Sequence, residues 1–149
     1  MATVNAYLTF DGNCEEAFNF YKQNFGGEFP FVGRFGDMPP SEEGKQIPED
    51  QKNRIMHISL PISKETILMV SDTGGDWAGN FNQGNNISIS INVDSKEEAD
   101  RLFNGLSTDG FVTMPMEDTF WGAYFGMFID KFGINWMINY DDPSKVQPH

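Results

Sequence analysis

The chain is 149 residues long, the size of one domain or of two small fused modules, and can bury roughly 70% of its unfolded surface. Aromatic residues make up 14% of it, with 14 Phe, which excludes intrinsic disorder. A formal net charge of −12 disfavours unaided binding to nucleic acid, which needs clustered Lys and Arg, so no nucleic-acid partner is expected.

The single cysteine, Cys14, has no partner for an internal disulfide, which suits a reducing compartment. The first residues lack a basic segment followed by an apolar run. No stretch approaches the ~18 apolar residues of a membrane span. A cytoplasmic protein with no membrane partner is therefore expected.

Val4 to Phe10 alternates and holds Tyr, Thr and Phe, so it predicts a strand. Asn13 with Glu16 resembles a capping box, and Cys14, Ala17, Phe18, Tyr21 and Phe25 then recur at helical spacing. Gly26-Gly27 ends that helix. Glu28 to Phe35 predicts a second strand, with Pro30 marking an edge. Gly36 to Asn53 is polar, holds Pro39, Pro40 and Pro48, and predicts a long loop or lid. Arg54 to Leu60 and Thr66 to Ser71 predict two more strands. Asp72 to Asn86 is rich in Gly and Asn and predicts a connecting segment. Asp72 and Asp76 flank Gly74-Gly75 there, a composition that turns favour.

Ile87 to Val93 alternates without a break: Ile87, Ile89, Ile91 and Val93 on one face, Ser88, Ser90 and Asn92 on the other. Ser95 and Glu98 form a capping box for a second helix, whose apolar stripe is Ala99, Leu102, Phe103 and Leu106. Phe111 to Met116, Trp121 to Ile129 and Asn135 to Tyr140 predict three final strands.

The order strand, helix, strand, strand, strand thus occurs twice. Glu15 and Glu97 stand 82 positions apart, as do Ala17 and Ala99, which points to two copies of one unit. The expected fold is α+β, with tandem βαβββ modules at 3–72 and 86–140, a linker at 73–85 and a polar tail at 141–149. Each helix covers one face of its sheet. The free faces, curving toward each other, would enclose a central cup.

Several segments extend the pattern: Tyr7-Leu8-Thr9-Phe10-Asp11-Gly12-Asn13-Cys14, Phe20-Tyr21, Phe35-Gly36-Asp37-Met38-Pro39, Asp118-Thr119-Phe120-Trp121-Gly122, and Asp130-Lys131-Phe132-Gly133-Ile134-Asn135-Trp136-Met137-Ile138-Asn139. From about Ala6 to Tyr140 the chain resembles the PhnB-like branch of the vicinal oxygen chelate superfamily, which includes glyoxalases, bleomycin-resistance proteins and extradiol dioxygenases. Some relatives carry a ubiquinone-related methyltransferase label, but no Gly-rich nucleotide loop follows a strand and opens a helix here.

Metal-dependent members of that superfamily hold a divalent ion with side chains from the first strand and a late strand of each module. The resemblance, aligned on Phe20-Tyr21, implies Ala6 as the first of these positions; the 82-residue offset puts its partner at Ser88, and the late-strand positions fall at Leu68 or Met69 and at Met137. Ala and Leu offer no donor atom, Ser is a poor ligand, and a thioether is soft and suits Cu(I) better than Mg, Mn, Ni or Zn. No metal site and no cofactor are therefore expected. Of the two histidines, His149 is terminal and His57 is a lone strand histidine. No H-x-x-x-H, C-x-x-C or acidic calcium loop is present.

Ligand-binding candidates for the cup are Ser88, Ser90 and Asn92, then Asn135, Met137 and Asn139. The aromatic run Phe120, Trp121, Tyr124 and Phe125, beside Glu117 and Asp118, offers a stacking surface or ordinary core. Arg34 is a candidate cationic anchor for a carboxylate or phosphonate, or a plain salt-bridge partner. His57 and Asp118 are the candidates for acid–base catalysis. Cys14 is expected to be a packed small residue. The expected function is binding of a small organic molecule in a metal-free cup. The alternatives are an enzyme of the superfamily, metal-independent or with an atypical metal, and a structural dimer with a closed cup. A homodimer is expected.

Overall fold

The computed structural model describes residues 2–37, 49–73 and 81–144, apart from the side chain of Gln51. Pro39, Pro40, Pro48, Gly74-Gly75, Asp76 and His149 lie outside the described residues. The chain divides into two compact units, Met1–Asn82 and Gln83–His149.

The first unit runs β1 (Tyr7–Phe10), α1 (Cys14–Phe25), β2 (Phe31–Arg34), β3 (Ile55–Pro61) and β4 (Ile67–Asp72), with short 3-10 turns at Phe35–Asp37 and Glu49–Gln51. Its sheet has the order β1-β4-β3-β2, with β1 parallel to β4 and the other pairs antiparallel. The second unit repeats the plan: β5 (Ile89–Asn92), α2 (Lys96–Leu106), β6 (Phe111–Asp118), β7 (Ala123–Ile129) and β8 (Asn135–Asp141), in the order β5-β8-β7-β6. The fold is α+β, built from two similar βαβββ modules. Among the described residues no helix is long and apolar enough to cross a membrane.

Each helix buries one stripe against its sheet. Cys14, Ala17, Phe18 and Tyr21 of α1 are buried, as are Ile58, Leu60, Leu68 and Val70 on the sheet. In the second unit Ala99, Leu102, Phe103 and Leu106 are buried with Phe128, Trp136 and Ile138, and Phe103 meets Phe128 edge to face at 5.1 Å. Burying one such side chain contributes ~1.5–3 kcal/mol, so these two stripes carry the core. Ile87 lies outside β5 and is 77% exposed, because the pairing with β8 begins only at Ile89. At the outer edge of the second sheet, β6 pairs irregularly with β7, its register shifting on both sides of Met114.

The two helices start differently. Ser95 accepts a hydrogen bond from the Glu98 amide at 3.1 Å, as the capping pattern predicts. Asn13, by contrast, makes no side-chain cap. The carboxylate of Asp72, at the end of β4, does that work from a distance. Its Oδ1 accepts from the amides of Gly12 (3.0 Å) and Cys14 (2.9 Å), and its Oδ2 from the amide of Ile55 (2.9 Å). A counterpart device closes the turn before β8. Asp130 is buried, accepts from the amides of Phe132 (2.8 Å) and Ile134 (3.0 Å), and takes the indole N–H of Trp136 at 2.8 Å.

The repeat also needs a correction. The 82-residue offset relates the helices, but not the faces of the strands before them. Phe10 is buried beneath α1, whereas Asn92, 82 residues on, is exposed on the opposite face of its sheet. Phe10-Asp11 matches Val93-Asp94 at an offset of 83, because the first turn holds one more residue: Gly12-Asn13 stands against Ser95. Gly12 takes φ = +100°, a conformation that suits glycine.

Cys14 is fully buried, and burial pushes its thiol well above the ordinary range, with the Asp72 and Glu15 carboxylates adding to the effect. It is a packed residue. Ellman's reagent is expected to leave the native protein unlabelled and to react with one thiol per chain in denaturant. Rapid labelling of native protein would contradict that placement.

Candidate functional site

The helix-free face of each sheet carries the residues of interest. In the second unit, Ser90 pairs with Met137 and Asn92 with Asn139 across parallel β5 and β8. Trp136 and Ile138 alternate with these residues and are buried on the helix side. The Asn139 amide donates to Asn92 Oδ1 (3.0 Å) and to Asp141 Oδ1 (3.1 Å), so its orientation is fixed. The Asn135 amide donates to the carbonyl of Ile87 (3.1 Å). Ser88, Ser90 and Asn92 are exposed. The face is therefore a polar strip of hydroxyls and amides, with Met137 and Met127 paired within it.

In the first unit the corresponding face is aromatic. Tyr7 (β1) pairs with Met69 (β4), Met69 with Ser59 (β3), and Ser59 with Phe31 (β2), a row crossing all four strands. His57 lies beside that row. Its ring centroid is 5.7 Å from that of Tyr7 and 5.9 Å from that of Phe31. Tyr7 Oη and His57 Nδ1 are 3.3 Å apart, so one of the two donates to the other, and Nε2 has no hydrogen-bond partner among the described residues. Tyr7 and Phe31 are 49% and 50% exposed.

Several sequence candidates lie elsewhere. Tyr124 is not with Asn139. It sits on the helix side, its hydroxyl donating to Asp100 Oδ1 (2.7 Å) on α2, a bond that pushes its pKa up to about 12. The reason is strand alternation: Phe125, not Tyr124, pairs with Asn139. Asp118 is paired with Lys96 at 3.0 Å, and that bond holds the Lys96 ammonium above its usual range. Lys96 also lies over the Tyr124 ring at 4.9 Å. Together with Thr119, Tyr140 and Asp142 these groups line a cleft of about 120 Å³. Arg34 is bound to Glu15 of α1 through both guanidinium nitrogens (3.2 and 2.5 Å) and to the carbonyl of Asn53 (2.8 Å). Glu15 raises its pKa, and the guanidinium charge already has a carboxylate partner. Trp121 is 40% exposed in the β6–β7 turn, edge to face with Phe120 at 4.9 Å.

The positions at which the resemblance expects metal ligands shift as well. Leu68 is buried on the helix side and Met69 is on the open face, so Met69 is the relevant late-strand position. By alternation, Ala6 shares its face with Leu8 and Phe10. At the strand offset of 83, the counterpart of Ser88 is Asn5, whose Oδ1 accepts from the Ile67 amide at 3.1 Å. Each unit thus offers one neutral oxygen and one soft thioether, Asn5 with Met69 in the first and Ser88 with Met137 in the second, donors that suit neither Mg or Mn nor Zn. Among the described residues no three His, Cys, Asp or Glu side chains gather as a metal site. Sequence reasoning missed Asn5, Tyr7 and Phe31. The alternation Tyr7, Thr9 against Leu8, Phe10 was the available signal, and the extra turn residue hid it.

Comparison with known proteins fits this architecture. A family model described as 3-demethylubiquinone-9 3-methyltransferase matches residues 2–139. Protein YjdN of Escherichia coli K12 is 31% identical over 144 residues, covering 91% of this chain and 93% of its own. The structure of protein PA1353 from Pseudomonas aeruginosa is 44% identical, covers 95% of this chain and 98% of its own, and has a TM-score of 0.80. A Bacillus cereus structure, named as a putative 3-demethylubiquinone-9 3-methyltransferase, PhnB protein, is 24% identical over 93% of this chain and 99% of its own, with a TM-score of 0.69. Glyoxalase-related proteins at 17% and 16% identity share the fold, with TM-scores of 0.59 and 0.61. With a match across nearly its whole length and relatives of this kind, the chain belongs to the PhnB-like family described as 3-demethylubiquinone-9 3-methyltransferase, on the glyoxalase/bleomycin-resistance fold.

Proposed function

We propose that the protein binds a small organic molecule, without a metal ion, on the helix-free faces of its sheets, and that it works as a homodimer in the cytoplasm with no nucleic-acid partner. One observation carries the proposal: these faces present an amide, a hydroxyl and two thioethers where the resemblance implies metal ligands, with exposed rings beside them in the first unit. Such groups recognise a ligand by shape and hydrogen bonding. Methyl transfer, as in the family's description, is not part of the proposal. The strand-to-helix turns are Asp11-Gly12-Asn13 and Val93-Asp94-Ser95, and neither has the glycine run that lets a nucleotide approach the backbone.

A second reading, a metal-independent enzyme, is favoured by the Tyr7–His57 contact of 3.3 Å, which orients the imidazole and leaves Nε2 for a substrate proton. Asp118 has no such role in it, because Lys96 holds its carboxylate. The half-exposed rings of Tyr7 and Phe31 count against a face packed shut by its own side chains.

Native mass spectrometry and elemental analysis of protein purified without chelators test the proposal together. The expected result is a dimer mass, a retained organic adduct and no stoichiometric transition metal. One equivalent of a transition metal per chain would overturn it.

A further inference from the structure

We infer that the helix-free face of the first unit is a stacking platform for a flat, uncharged ring system, a conclusion that rests on the small-molecule proposal above and names its ligand class. Exposed aromatic rings cost free energy, and this face holds two of them, half-exposed, in fixed positions around an imidazole. Tyr7 and Phe31 come from the two edge strands of the sheet and flank His57, their ring centroids 5.7 and 5.9 Å from the imidazole and so at most about 12 Å apart. Met69 and Ser59 form the floor between them. That span fits roughly two or three fused rings lying flat.

The platform is built, not incidental. Gly33 lies two residues from Phe31 on the same face of β2 and is buried. A Cβ at Gly33 would come within 2.9 Å of the Phe31 ring and 3.2 Å of the Met56 methyl. The absence of a side chain there lets the Phe31 ring fold down over the strand, beside His57. The chemistry of the face also selects its occupant. The chain carries 32 Asp, Glu, Lys and Arg residues, yet none lies on this face within β1 to β4. A charged ligand would find no partner for its charge on these four strands and would lose hydration there. A neutral ring system stacks on Tyr7 and Phe31, and its polar edge meets His57 Nε2 or the Tyr7 hydroxyl.

Binding of three probes of one carbon skeleton tests this: 2-naphthol (flat, neutral), 2-decalol (saturated, neutral) and naphthalene-2-sulfonate (flat, charged), measured by saturation-transfer NMR on the full chain. The expected order is 2-naphthol tightest, by about fivefold or more over 2-decalol. Phe31→Ala is expected to weaken 2-naphthol about fivefold. Gly33→Ala, which keeps both rings but displaces one, should weaken it similarly while the thermal transition stays in place. Only the far end of the Phe31 ring and a Met methyl have to move. Equal affinity for naphthol and decalol overturns the inference, as does wild-type naphthol binding in both variants. If Phe31→Ala instead turns a dimer into monomers with naphthol binding unchanged, the face is an interface between copies and the inference falls. If a saturated or charged probe binds best and Asn139→Ala abolishes it, the platform is wrong while small-molecule binding stands. Failure of every probe, with no retained adduct, would end both.

Discussion

Asp72→Ala is expected to destabilise the first unit by several kcal/mol, about 2–6. The carboxylate accepts three backbone amides that have no other role in helix or sheet: Gly12, Cys14 and Ile55. Two of these bonds join the start of α1 to the end of β4, and the third ties β3 to the same point. Ala leaves the three donors without an acceptor, two of them in buried bonds. At ~1–3 kcal/mol per unsatisfied buried group, the two buried donors alone cost about 2–6 kcal/mol, a large share of the ~5–15 kcal/mol that a domain has. Asp72→Asn keeps one acceptor oxygen and should fall between the two, since its NH2 meets an amide N–H instead of accepting from it. Urea unfolding of the three proteins gives the order. A loss below about 1 kcal/mol for Asp72→Ala would mean that water or another side chain takes over the cap.

Trp136→Ala is expected to cost about 3–5 kcal/mol, the range for deleting a large buried aromatic. Trp136 is fully buried on the helix side of β8, paired with Phe128 on one neighbour and Ile89 on the other. Trp136→Phe separates the two parts of that figure. It keeps most of the packing but removes the indole N–H that Asp130 accepts at 2.8 Å, and should cost about 1–3 kcal/mol. Denaturant midpoints and near-ultraviolet circular dichroism read both. If Phe and Ala at 136 were equally destabilising, the hydrogen bond and not the packing would be the dominant contribution.

Element order and helix faces were legible because they are local. Ala17, Phe18 and Tyr21, or Ala99, Leu102 and Leu106, repeat with the helical period, and that period survives without knowledge of partners. The face of a short strand is less secure. One added residue at Gly12 leaves the helix offset at 82 and moves the strand offset to 83, which misplaced the counterpart of Ser88. The face of Tyr124 was hidden for a similar reason: adjacent strand residues look alike in a dense aromatic run, and only the pairing of Phe125 with Asn139 separates them. The cap of α1 was invisible for another reason. Asn13 satisfies the local pattern, yet the acceptor arrives from Asp72, some 58 residues away in sequence from Cys14. The grouping of Tyr7, Phe31 and His57 was only half visible: alternation puts Tyr7 on the open face, but the three rings meet only when the strands are laid side by side.

The uneven outer border of the second sheet has a consequence for solubility. An eight-residue strand with Phe111, Val112 and Met114 turned outward would ordinarily invite neighbouring chains to add on and grow into fibrils. Its two register shifts bend the edge out of line, Pro115 withdraws one donor, and Glu117 puts negative charge near its end. These devices work against edge-to-edge growth on an otherwise apolar border.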